Sequence, residues 1–147
     1  MTTDDWQSRH STQLIQVGMT LFFMALVVGL VVQQFAVPRL GLSVHLLGLM
    51  QGIFLTVLGL VWPRLTVERT WSRVGVGLAV YGCIAAWLAN VLAATQGGSA
   101  MLPLASGQER SAPVFEAAIA VGLRSAAIAL IAATVLVLRG LRKSTFT

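Results

Sequence analysis

The chain has 147 residues, 56% hydrophobic and 10% charged, with a net charge of +5 and a mean hydropathy of +0.83. A soluble domain carries about a quarter charged residues, and one this small has too much surface to hide so apolar a composition, which excludes a water-soluble globular domain, a disordered chain and a collagen-like repeat. The single cysteine, Cys83, excludes an intrachain disulfide, a zinc ribbon and a Cys-x-x-Cys pair, and the basic charge is scattered in the way that sets membrane topology rather than binds nucleic acid.

A membrane span needs about 20 mostly apolar residues to cross roughly 30 Å of hydrocarbon. The first such segment runs from about Thr12 to Ala36 and is stopped by Pro38. Asp4 and Asp5 precede it and no small-x-small cleavage site is clear, so it is expected to stay in the protein rather than act as a signal peptide. The second runs from about Leu40 to Trp62, stopped by Pro63, and the third from about Arg73 to Thr95, before Gly97-Gly98. A longer outer loop, 96–113, follows, with Met101-Leu102-Pro103-Leu104 as a small apolar patch; it reads either as a lid or as plain linker. The fourth span runs from about Val114 to Leu138, before Arg139-Gly140, with Pro113 at its start, where a missing N–H does no harm.

Backbone groups in lipid must pair internally, and period-two alternation is absent, so the spans are expected to be helices and not barrel strands. The expected fold is all-α: one domain, 1–147, forming a four-transmembrane-helix bundle. Arg9, Arg64, Arg69, Arg73, Arg139, Arg142 and Lys143 fall on one side of it and only Arg39 and Arg110 on the other. The positive-inside rule then predicts both termini in the cytoplasm, in a bacterial-type inner membrane. Trp62 and Trp71 read as interface anchors, and His10 as part of a solvated N-terminal tail.

Polar residues inside spans are costly and point to function. His45 opens a helical stripe that continues through Gly48, Gly52, Thr56 and Gly59. The stripe has two readings. It is a close-packing surface for another helix, or a smooth groove for a flat ligand whose metal His45 holds, as imidazole does in many haem proteins. Asn90, Glu116 and Gln34 are expected at the depth of His45, with Gln51 deeper. Arg124, near the middle of the fourth span, reads either as a partner of Glu116 or as the counter-ion of a cofactor carboxylate. Trp87 and Tyr81 read as core aromatics or as walls of an aromatic-substrate pocket, and Cys83 as a packing residue.

The stretch Gly41-Leu42-Ser43-Val44-His45-Leu46-Leu47-Gly48-Leu49-Met50-Gln51-Gly52, with Gly59-Leu60-Val61-Trp62-Pro63-Arg64-Leu65, Tyr81-Gly82, Trp87-Leu88-Ala89 and Met101-Leu102-Pro103, resembles the hydroxylaminobenzene mutase family. More distantly it resembles the styrene oxide isomerases. The resemblance covers roughly residues 41 to 141. It implies a small four-span isomerase that turns an aryl hydroxylamine into an ortho-aminophenol, or acts on a related aryl epoxide. It also implies a homotrimer with haem b on His45 as axial ligand. Gln51 takes the place of a substrate-contacting asparagine. The chain departs from the mutase pattern at Leu47, where a glutamate stands, and at Gln51 and Ala86, where asparagines stand.

The expected activity is therefore a redox-neutral mutase with a Lewis-acidic iron. Gln51 and Asn90 would orient the reacting oxygen, Trp87 and Tyr81 would receive the ring of a small apolar substrate, and Arg124 would neutralise a propionate. Gly48 and Gly52 would line the cofactor. The rival readings are a haem-binding or a cofactor-free structural membrane subunit without catalysis. A bis-histidine electron carrier is disfavoured because His45 is the only histidine placed within a span.

Overall fold

The computed structural model of the chain describes residues 3–97, 102 and 111–144. Among them the structure is helical, without strands: α1 (Thr3–Leu30), α2 (Pro38–Val61), α3 (Arg69–Gln96) and α4 (Pro113–Ser144), with short 3-10 turns at Val32–Gln34 and Trp62–Arg64. All four helices are long and apolar enough to cross a membrane. With 24 to 32 residues each, they are roughly 36–48 Å long at 1.5 Å per residue. Their ends therefore reach past the hydrocarbon into the headgroup region.

The ends of the helices differ from expectation where local chemistry overrides hydropathy. α1 begins at Thr3 and stops at Leu30, so His10 lies on a helix and not in a tail. Pro38 does more than stop the first span: it is the first residue of α2, after an extended Val37 (φ −120°, ψ 90°), the conformation that a following proline imposes. Gly97, with φ 77°, ends α3 in a region that L side chains avoid. α4 does not end at Arg139-Gly140 but continues to Ser144. Most of the expected 96–113 loop, including Met101, Pro103 and Leu104, lies outside the described residues.

The helices form two hairpins. α1 packs along α2, α4 packs along α3, and α2 and α3 join the pairs, with α1 also touching α3. Small residues make this close approach possible, as in other membrane bundles. Ala126, Ala129 and Ala133 of α4 are buried at steps of three and four, and the Gly82 backbone of α3 lies against Leu130. Only 22% of the α1 span and 17% of the α4 span is buried within the chain, against 39% for α2 and α3. The outer helices therefore keep broad apolar faces for lipid or for another copy.

The start of α1 and the end of α4 lie at the end that carries Arg64, Arg139 and Arg142. There the Thr66 N–H bonds to the Gly140 carbonyl (3.3 Å) and the Gln7 amide to the Leu65 carbonyl (3.1 Å). Trp62 is not an interface anchor: it is buried, and its indole N–H donates to the Ser72 hydroxyl at 3.0 Å. His10 Nδ1 shares a 3.0 Å hydrogen bond with the same hydroxyl, and its ring meets Trp6 edge-on. Trp71 remains exposed, as expected of an anchor.

Candidate active site

His45 sits on the flank of α2 that faces α1. Its Nδ1 lies 2.7 Å from the Ala25 carbonyl oxygen. A carbonyl can only accept, so Nδ1 carries the proton and the lone pair is left on Nε2. A histidine ligand is prepared in this way when a second group fixes its tautomer and ring orientation. The space for the ring comes from Gly29, where a Cβ would stand 2.7 Å from both Nδ1 and Cε1 of the imidazole. Reading the residues for chemistry misses Gly29 and Ala25. The signal that points to them is the recurrence of Gly18, Ala25 and Gly29 on one face of α1.

The glycine stripe of α2 is filled by this chain itself. A Cβ on Gly52 would lie 2.8 Å from the Gly18 oxygen and from the Phe22 nitrogen, and one on Gly48 would lie 2.6 Å from Ala25 Cβ and from Trp87 Nε1. Of the two readings of the stripe, close helix packing is the one realised. In this structure α1 lies against Gly48 and Gly52, and the Trp87 indole lies against Gly48.

Trp87 reaches across from α3 and donates its indole N–H to the Val44 carbonyl at 3.2 Å. Trp87, Gln51 and Asn90 are each buried. Asn90 binds its own helix through Nδ2 and the Ala86 carbonyl (3.0 Å). The Gln51 oxygen Oε1 is buried without a hydrogen-bond partner among the described residues. An unsatisfied buried acceptor costs roughly 1–3 kcal/mol, so its retention suggests a ligand donor. Gln51→Leu is expected to raise the melting temperature of the detergent-solubilised protein while sharply lowering turnover. Equal losses of both would mark Gln51 as structural.

The other candidates are not brought here. Tyr81 is half exposed and bonds Ser125 of α4 through its hydroxyl at 2.9 Å; six residues from Trp87, it lies on another face of α3. Arg124 is exposed on the side of α4 opposite buried Ala126, turned away from α3. Glu116 accepts the Ser111 N–H across the start of α4 (3.4 Å), where the helix dipole favours a carboxylate. Cys83 is buried, as a packing residue should be.

The styrene oxide isomerase family matches residues 10–142 of the chain. Hydroxylaminobenzene mutase HabB of Ectopseudomonas oleovorans is 39% identical over 133 residues, which are 90% of this chain and 81% of that protein. Hydroxylaminobenzene mutase HabA of the same organism is 38% identical over 131 residues, 88% of this chain and 97% of that protein. No solved structure is a significant match.

Proposed function

The chain belongs to the styrene oxide isomerase family and is an intramolecular mutase or isomerase of the membrane, and from that premise we propose that it rearranges a small aryl hydroxylamine to an ortho-aminophenol at a site built around His45. The observation that carries this reading is the 2.7 Å bond from His45 Nδ1 to Ala25, which leaves Nε2 as the ligating atom. That donor would let His45 hold the haem b that the family resemblance implies. Bound there, the haem would supply a Lewis-acidic iron able to polarise an oxygen.

The remaining roles belong to the side chains. Gln51 offers an unpartnered acceptor. A hydroxylamine has N–H and O–H groups to give it, whereas an epoxide has only an acceptor oxygen, so this amide favours the hydroxylamine. Asn90, one turn beyond Trp87, would assist through its own amide. Trp87 and the apolar helix walls would seat the ring and exclude water. Arg124 could meet a haem carboxylate across a contact between copies, which agrees with the homo-oligomer, a trimer, that the resemblance implies. The basic end would face the cytoplasm of a bacterial-type inner membrane.

The test is an absorption spectrum of protein expressed with ample haem, beside His45→Ala. A Soret band in the parent that is lost or shifted in the variant is expected, with turnover of phenylhydroxylamine exceeding that of styrene oxide. A well-folded parent without a Soret band would overturn the haem assignment and favour a cofactor-free mutase.

A further inference from the structure

At the basic end, far from His45, a cavity of about 890 Å³ opens between the start of α1, the segment 63–68 and the end of α4. The distance is set by α2: nineteen residues separate His45 from Arg64, roughly 28 Å of helix. We propose that this cavity holds the headgroup of one anionic phospholipid.

Three observations support it. The first is charge: among the described side chains, Arg64, Arg139 and Arg142 line the cavity together with the carboxylate of Glu68. Guanidinium groups fit phosphate through paired N–H donors, and basic pockets between transmembrane helices are a recurring form of lipid headgroup site. The second is its two-sided character. Trp71 and the arginines stand at the polar rim, while Leu136 belongs to the α4 span. The volume falls in the range of pockets for ligands much larger than free phosphate, so a soluble ion would leave both the room and the apolar wall unused.

The third is that the walls are already fixed. Thr66 is tied to Gly140 of α4, and Gln7 of α1 to Leu65, by the hydrogen bonds described above. A Cβ on Gly140 would meet Val67 Cγ2 at 2.6 Å, so α4 and the 63–68 segment are in close contact. A cavity held by three separate parts of the chain needs little ordering when a ligand enters, which favours binding.

The test is native mass spectrometry of the detergent-solubilised full chain. Phosphatidylglycerol and phosphatidylcholine with the same acyl chains are added in turn. Phosphatidylglycerol should be retained in preference, and Arg139→Gln with Arg142→Gln should weaken its retention about five-fold per arginine removed. Glu68→Gln, which removes the opposing charge at an exposed position, should strengthen it. Millimolar inorganic phosphate should leave retention unchanged.

Equal retention of the two lipids would overturn the proposal, as would an arginine double variant that binds like the parent. Displacement by inorganic phosphate would also overturn it, by identifying a soluble-anion site. If the double variant loses its helical circular dichroism, Glu68→Gln decides the matter: unchanged retention there refutes the site.

Discussion

On the proposed haem-dependent mutase, replacing Gly29 with alanine should weaken haem retention and hydroxylamine turnover about 10–100-fold, the usual loss when the group that orients a ligating histidine is disturbed. Residue 29 needs to touch neither substrate nor cofactor for this. Its new Cβ would stand 2.7 Å from two ring atoms of His45, well inside contact distance, so the imidazole must rotate or withdraw. The 2.7 Å bond to Ala25 is then lost, Nδ1–H has no acceptor, and the direction of the Nε2 lone pair is no longer fixed. Alanine improves intrinsic helix stability by roughly 0.5–1 kcal/mol over glycine, so α1 itself should not suffer. A shifted or weakened Soret band with an undiminished helical signal is the expected signature. An unchanged spectrum and unchanged rate would show that Gly29 does not position the ring.

Gly52→Ala should damage the packing of α1 against α2 with a single methyl. Its Cβ would meet two backbone atoms of α1, the Gly18 oxygen and the Phe22 nitrogen, each at 2.8 Å, and Phe22 Cβ at the same distance. Backbone cannot swing aside as a side chain can, so the helices must separate and loosen the close packing along α1 and α2. Overpacking of this kind costs about 1–3 kcal/mol or more. Gly77→Ala provides the internal comparison, because nothing lies within 4 Å of a Cβ there; it should gain roughly 0.5–1 kcal/mol from helix propensity. Thermal unfolding of the two variants in one detergent measures both. Equal melting temperatures would contradict the packing described for α1 against α2.

Much of the candidate site is legible in residue types alone, and the exceptions show what residue types leave out. His45 stands out because an imidazole inside an apolar span is expensive, and Gln51, Trp87 and Asn90 because polar and aromatic groups recur near it. All three are buried. Tyr81 belongs with them by residue type, yet its hydroxyl bonds Ser125 on another face. His10 precedes the apolar run and so reads as solvated, but it is packed through Ser72 and Trp6. Gly29 gives no signal because a glycine in an apolar helix carries no chemistry of its own. It matters only through the histidine laid against it.

The sequence by itself determined four membrane-spanning helices, a basic end shared by the first and last of them, and a histidine within the second. These follow from composition, length and charge, which are local properties that lipid and water sort without reference to neighbours. Only the tertiary structure decided which faces meet. It places α1 over the Gly48–Gly52 stripe with Trp87 against Gly48, Arg124 on an exposed side of α4, and Gly29 beneath the imidazole. A helix that is apolar all round has no amphipathic face to announce its inward side. Its rotation is set instead by small residues and by hydrogen bonds to a second helix, and those partners exist only once the helices have packed.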